Sequence, residues 1–306
     1  MSTDDFLFCH DCGSVLVDSK CPHCTSKASD LSDSLLTDAT ADLSHLSDDQ
    51  QFAIQGITLW YRKIMHPAIN GDASHYSIDT TTEQGQFELF CLALLLSAGK
   101  SRLETETAFK RLRARGLISF ERIRESEDHQ ELTSKIAESL HHLPEGQAES
   151  FGKRIVISAL KISRELDGRL SELLEFCRQS GDRLITALAE TEARGGSYGL
   201  SDKAFWLTRE MKLASLWNVE GEYCCASESH SLKRLLERIG FEVPLERRPV
   251  PKMLRVSKLI WSYFGEEYDI PAASFAEQIC QDEPKCSECP ISRNCNYGKT
   301  VARTEN

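Results

Sequence analysis

Four cysteines near the C-terminus have the residue type and the spacing that bind a metal centre. They follow the pattern Cys-x5-Cys-x2-Cys-x5-Cys, at Cys280, Cys286, Cys289 and Cys295. Thiolates this close in sequence can converge on one soft metal centre without help from distant parts of the chain. Structural zinc usually takes paired Cys-x2-Cys knuckles, whereas one central pair with an outlying cysteine on each side suits a loop wrapped round a [4Fe-4S] cube. The spacing favours the cluster, and zinc and a disulfide framework are the alternatives.

A second cysteine quartet, near the N-terminus, is typical of zinc. Two Cys-x2-Cys knuckles stand eight residues apart, at Cys9, Cys12, Cys21 and Cys24. A glycine after the first knuckle and a proline inside the second permit the tight turns that place four thiolates round zinc. We therefore predict a zinc ribbon at residues 1–25, stabilised mostly by its metal. The ribbon could bind a protein partner or nucleic acid, or act only as a structural cap.

Length and composition predict a globular protein of a reducing compartment. A chain of 306 residues with 41% hydrophobic residues can bury one large core or two modest ones. No stretch approaches the roughly 18 apolar residues of a membrane span, and the first residues lack a secretion signal. Eight of the twelve cysteines fall into the two metal-type quartets. We expect an intracellular protein without membrane association, cytoplasmic and, in a bacterium, associated with the nucleoid.

The net charge of −11 is unevenly distributed. Residues 26–50 hold six aspartates and one lysine in a Ser/Thr/Asp-rich tract that is typical of a linker. Residues 99–124 and 231–260 each hold eight Lys or Arg against three Glu. Such segments can follow a phosphate backbone, although each is also explained by a solvated helix face. The acidity of the whole chain therefore does not exclude nucleic acid as a partner.

Helical periodicity dominates between the linker and the C-terminal cysteines. Apolar residues recur at the 3.6-residue period in residues 51–66, 103–117, 150–166, 169–177 and 182–192. Residues 87–98 are apolar on nearly all sides, which predicts a buried central helix. Strand-like alternation hardly appears. We predict an all-α fold of roughly ten helices, with a helical domain at 51–279 and a cluster loop and tail at 280–306. The cysteines outside the quartets are expected to be small buried hydrophobic residues.

Four segments, in order, resemble the endonuclease III branch of the helix-hairpin-helix (HhH-GPD) DNA glycosylases. Residues 87–98 resemble an early helix of the family, although the glutamine that fills the space of an extruded base is missing after Ala98. Residues 195–207 resemble the hairpin motif Leu-Pro-Gly-Val-Gly-x-Lys-Thr-Ala, with Ser201 in place of its second glycine. Residues 224–240 resemble the Val-Asp-Thr-His segment and the helix after it. The C-terminal cysteines resemble the family's iron–sulfur loop, whose first gap is one residue longer.

This resemblance implies a two-lobed helical architecture and a specific chemistry. Lys203 falls on the nucleophilic lysine, which attacks the sugar of a flipped nucleotide and leaves a Schiff base. Glu228 falls on the essential aspartate, which stabilises positive charge on the sugar. Without the resemblance, Lys203 would be an ordinary surface lysine and Glu228 an acidic residue at a helix start.

Contacts with double-stranded DNA are expected from the hairpin and from the loop. The glycine-rich turn should bring the backbone close to a phosphate, with free N–H groups at the start of the next helix and with Tyr198 exposed at the tip. The implied DNA-binding residues are Tyr198, Gly199, Leu200, Ser201, His230, Lys285 and Arg293.

The sequence thus predicts a DNA glycosylase with lyase activity that excises a damaged or modified base. A different class of function remains open, because the altered hairpin and the glutamate also suit a nucleic-acid-binding protein that kept the fold and the cluster without the chemistry. In a third hypothesis the zinc ribbon marks membership of an assembly that acts on unusual bases.

Overall fold

The computed structural model describes residues 46–65, 71–98, 102–140, 143–191, 196–225, 230–241 and 249–304. These residues form α-helices, turns and short 3-10 segments without a β-strand, which confirms the all-α prediction. The zinc-ribbon ligands predicted at Cys9, Cys12, Cys21 and Cys24 lie outside the described residues. Within the part of the chain that is described, no helix has both the length and the apolar character that a membrane span requires.

Fourteen α-helices are present in the described residues, more than the roughly ten that periodicity predicts. They are α1 (Asp48–Met65), α2 (Gly71–His75), α3 (Glu83–Leu96), α4 (Arg102–Ala114), α5 (Phe120–Glu125), α6 (His129–Ser139), α7 (Glu145–Glu165), α8 (Leu173–Phe176), α9 (Gly181–Ala189), α10 (Lys203–Leu213), α11 (His230–Arg238), α12 (Pro249–Phe264), α13 (Ile270–Gln278) and α14 (Asn296–Thr304). The helix predicted for residues 169–177 is instead a 3-10 turn, Leu170–Glu172, followed by the single turn of α8.

The described residues group into two compact units. One contains residues between 71 and 219, and the other contains residues 46–65 together with those from 220 onward. In the first unit α3 is the central helix, buried from Gly85 to Leu95, as its apolar sequence predicts. Thr82 begins it by accepting a hydrogen bond from the Gly85 N–H at 3.0 Å. Helices α4, α7 and α10 pack against α3, so α3 is the support for the α9–α10 hairpin.

The second unit is built on α1, α11 and α13. Trp60 of α1 meets Phe275 of α13 edge to face, with ring centroids 5.1 Å apart. Both α1 and α11 pack against α13, and the C-terminal cysteines begin two residues after α13 ends. The cysteine loop is therefore held on a helical core rather than on another loop.

Candidate functional site

The turn between α9 and α10 is closed by its own backbone. The N–H groups of residues 196–201 donate to carbonyls of residues 187–191, including Leu200 to Leu188 at 2.8 Å and Ser201 to Ala189 at 3.0 Å. The N–H of Lys203 donates to the Leu200 carbonyl at 3.1 Å. The expectation that free N–H groups here would bind phosphate is wrong for these residues, because each already has an intramolecular acceptor.

Two residues of this turn have left-handed backbone conformations. Gly199 has φ +63°, and a Cβ atom there would lie 2.9 Å from Cγ2 of Thr191. Ser201 has φ +53° although it carries a side chain. Arg154 of α7 donates to the Tyr198 carbonyl at 3.1 Å and also to the Gly199 carbonyl. The turn thus needs glycine at position 199, tolerates a strained serine at 201, and is tied to α7 by one guanidinium.

The side chains of the turn differ from the sequence-based expectation in one respect. Tyr198 was expected at an exposed tip, but it is only 4% exposed. Its ring meets that of Phe90 on α3 edge to face, with centroids 5.4 Å apart. Leu200 is also fully buried, whereas Ser201 is exposed. Tyr198 and Leu200 therefore anchor the hairpin to its own unit, and their side chains are not presented to DNA in this conformation.

Lys203 is the first residue of α10, and its side chain is 19% exposed. Its Nζ donates to Oδ2 of Asp202 at 2.6 Å. Because most of its surface is covered, it is not the ordinary exposed lysine of the simpler explanation. Asp202 was not among the predicted site residues, although a carboxylate next to a candidate nucleophile is itself a signal. Glu228 lies outside the described residues, as does the side chain of His230, which begins α11.

A buried polar cluster fixes α10 against α2. Glu210 is 1% exposed, and its Oε2 accepts the Ala73 N–H at 3.0 Å. Trp206 donates from Nε1 to Oδ2 of Asp72 at 2.9 Å. Burial raises the pKa of Glu210, and the charge of Asp72 adds to this, while Arg209 opposes it. These contacts hold the helix that begins with Lys203 in one position.

The four C-terminal cysteines line one cavity in the second unit. Its empty volume is about 310 Å³ including the open solvent at its mouth, and apolar residues of α11, α13 and the loop complete its wall. Cys280 and Cys295 are buried, whereas Cys286 and Cys289 are half-buried. Among the described residues, no three or more His, Cys, Asp or Glu side chains are grouped so that they could hold a metal ion. The loop thus brings the four thiols to one cavity without grouping them as metal ligands in this conformation.

Backbone N–H groups point at the sulfurs of this cavity. Burial raises the pKa of the Cys289 thiol to about 11, and the Ile291 N–H opposes this by donating to the sulfur. Burial also raises the pKa of Cys295, against the N–H groups of Gly298 and Tyr297 at the start of α14. Donors of this kind stabilise thiolate, the form in which cysteine binds metal. At both sulfurs the effect of burial outweighs these donors, so the pKa of each thiol is raised on balance.

In the basic segments 99–124 and 231–260, several arginines bind backbone carbonyls of the protein itself. In the first, guanidinium groups hold the backbone: Arg111 donates to the Ser139 carbonyl at 3.1 Å and Arg113 to the Tyr76 carbonyl at 3.0 Å. In the second, Arg234 and Arg238 bind the cysteine loop. Lys285 and Arg293, by contrast, are exposed on that loop and have no ion-pair partner among the described residues. They remain accessible positive charges.

The other cysteines of the described residues are buried, as predicted. They are Cys91, Cys177, Cys224 and Cys225. Burial raises the pKa of Cys177 to about 12, so this thiol stays protonated near neutral pH.

No model of a known protein family matches the chain, and no curated protein is significantly similar to it.

Proposed function

We propose that this chain is a DNA glycosylase of the helix-hairpin-helix class with lyase activity, which binds a [4Fe-4S] cluster at its C-terminal cysteines. The observation that carries the proposal is the α9–α10 hairpin. Its left-handed residues, Gly199 and Ser201, fall where the glycosylase motif has its two glycines, and α10 then opens on Lys203. The division of the described residues into two compact units also supports the two-lobed architecture.

The proposed reaction begins at Lys203. Its amine must lose a proton before it can attack, and Asp202, 2.6 Å away, is within reach to receive that proton. The neutral amine then forms a bond to the anomeric carbon of a flipped nucleotide, while the bond from that carbon to the base breaks and the base leaves with its electron pair. Glu228 is proposed to stabilise the positive charge that develops on the sugar. The attached nitrogen then loses a proton, the bond from the anomeric carbon to the ring oxygen breaks as that oxygen takes up a proton, and the protonated imine that forms permits cleavage of the strand.

Three observations support the proposed cluster. Four cysteines share one cavity, apolar side chains such as Phe275 and Ile291 wall it, and N–H groups donate to its sulfurs. When bound, a [4Fe-4S] cluster supplies a redox-active centre that also fixes the fold of its loop. The loop in turn presents Lys285 and Arg293, which are proposed to contact DNA phosphates. Zinc in the N-terminal ribbon, and a protein partner bound through it, are proposed from the sequence alone.

The enzyme is tested by trapping its covalent intermediate. The full-length protein is incubated with a duplex that carries one abasic site, and borohydride is added to reduce any imine. A protein–DNA crosslink should form with the wild type and be lost in Lys203→Ala. Lys153→Ala is the matched control, because Lys153 is an exposed lysine of the same unit, paired with Glu149 at 2.7 Å. A crosslink undiminished in Lys203→Ala would remove Lys203 from the mechanism.

A second candidate function, a nucleic-acid-binding protein without catalysis, is favoured by one observation. The Lys203 amine already forms an ion pair with Asp202. An ion pair of this kind can hold α10 in place without taking part in catalysis. The two functions differ in whether free base is released. The glycosylase should liberate bases from oxidised, alkylated or deaminated duplex DNA, and Glu228→Gln should stop release while DNA binding stays within a few fold. Binding without release by the wild type on every such substrate would favour the second function.

A further inference from the structure

Arg238, the last residue of α11, places its guanidinium on the cysteine loop. Nη1 faces the Cys280 sulfur at 3.3 Å and the Gln281 carbonyl at 2.6 Å, and Nη2 donates to the Asp282 carbonyl at 3.1 Å. The group also lies over the Tyr297 ring, with its Cζ 4.5 Å from the ring centroid. Arg238 is half-buried and lines the cysteine cavity. Contacts on several sides therefore fix one orientation of this cation.

A neighbouring arginine holds the same loop without touching a sulfur. Arg234, one helical turn earlier, donates from Nε to the Cys280 carbonyl at 3.0 Å and forms an ion pair with Asp282. Its contacts lie on the backbone of Cys280 and on the exposed carboxylate of Asp282. Arg234 and Arg238 thus anchor the same residues, but of the two guanidinium groups only that of Arg238 contacts a cysteine sulfur.

We infer that Arg238 is a positioning residue that holds the Cys280 thiolate as a cluster ligand and raises the reduction potential of the bound cluster. The inference rests on the proposed cluster. A cation that donates an N–H to a ligand sulfur stabilises negative charge there, and adding an electron makes the cluster and its thiolates more negative. The reduced form gains more from the contact than the oxidised form does, so the potential rises. Because the site is partly buried, solvent screens this effect only in part.

The test measures the potential of the full-length protein after anaerobic reconstitution with iron and sulfide. Mediator dyes poised with dithionite supply the electron, and the reduced cluster is followed by electron paramagnetic resonance. Arg238→Met removes the donor and keeps an apolar stem, and Arg238→Gln keeps a neutral donor without the charge. Both should show a lower potential than the wild type, with the larger fall in Arg238→Met. Arg234→Met, the matched control, should keep the wild-type value.

The possible results separate the inference from the cofactor proposal. A wild type that binds no iron would overturn the cluster itself. A wild type and an Arg238→Met protein that both hold a full cluster at the same potential would overturn only the role of Arg238. If the Arg238 variants lose iron and Arg234→Met retains it, the positioning role is supported. Equal iron loss in all three variants would assign the effect to loop anchoring and contradict the inference.

Discussion

The proton on Lys203 is the first obstacle to the proposed chemistry, and Asp202 is the group placed to remove it. The two side chains are 2.6 Å apart and both are mostly covered. We predict that Asp202→Asn slows borohydride trapping on abasic DNA by about 100-fold, because an amide cannot accept the proton as a carboxylate does. Asp182→Asn, which changes an exposed carboxylate of the same hairpin, should leave the rate unchanged. An equal rate in Asp202→Asn would leave Asp202 only the role of holding α10.

Glu210 gives a prediction about stability and pH. Burial raises its pKa above the ordinary 4.5, so the folded protein holds this proton at a pH where the unfolded chain has released it. Its contribution to stability is therefore greatest below 4.5 and declines as pH rises through the window up to the folded-state pKa. In urea titrations at a series of pH values, Glu210→Gln should show a smaller decline than the wild type. Identical pH profiles would show that folding does not raise the pKa of Glu210.

The type of a residue could be predicted from sequence more readily than its partner. The four C-terminal cysteines stood out because of their short spacing, whereas Lys203 was singled out only by the resemblance of residues 195–207 to the hairpin motif. The buried position of Tyr198 did not, because it depends on Phe90, which comes from another helix. Arg154 and Glu210 carry no sequence signal at all, since each acts on backbone groups more than 40 residues away. Glu228 remains a sequence-based prediction.

The α9–α10 hairpin is the element on which the proposed function depends, and its backbone angles can be tested. Ser201 adopts φ +53°, a conformation that costs a residue with a side chain about 1–2 kcal/mol and glycine very little. We predict that Ser201→Gly stabilises the protein by about 1 kcal/mol or less, after the extra chain entropy of glycine is subtracted. Gly199→Ala should destabilise it by about 1–2 kcal/mol, because φ +63° and the close Cγ2 of Thr191 both oppose a Cβ.

Thermal unfolding of both hairpin variants beside the wild type provides the measurement. The two shifts in melting temperature should have opposite signs. A destabilised Ser201→Gly would mean that the serine makes a contact worth more than its strain.

Helices were predictable where their apolar period was long and continuous. Residues 87–98 were predicted to form the central helix, and α3 runs Glu83–Leu96 because Thr82 caps it five residues before the apolar run begins. Short helices such as α5 and α13 were missed, since one or two turns leave little periodicity to detect. The turn of residues 170–172 was mistaken for regular helix because its apolar spacing is the same over so few residues.

For the whole molecule, the metal content of the purified protein tests the proposed cofactors. We predict that protein purified without oxygen contains about four irons per chain and a broad visible charge-transfer band. Cys286→Ser together with Cys289→Ser should remove the iron and the band, because both residues line the cavity. If the protein contains zinc instead of iron and lacks the band, the C-terminal cysteines bind structural zinc rather than a cluster. The N-terminal ribbon would then be the second zinc site of the chain.

The sequence does not predict which segments of the chain group into the same compact unit. Residues 51–279 were predicted as one helical domain with two lobes, and the described residues between 46 and 304 group into two compact units. Residues 46–65 group with those after 220 because α1 packs against α13, a contact between segments about 200 residues apart. No local pattern predicts such a pairing.

The central claim, that Lys203 joins covalently to DNA, is tested most directly by locating the bond. Wild-type protein is trapped with borohydride on duplex DNA containing one abasic site, digested with trypsin and nuclease, and examined by mass spectrometry. We predict a reduced sugar remnant on the peptide that contains Lys203 and on no other lysine. A remnant on a different residue, or none on any, would contradict the proposed mechanism.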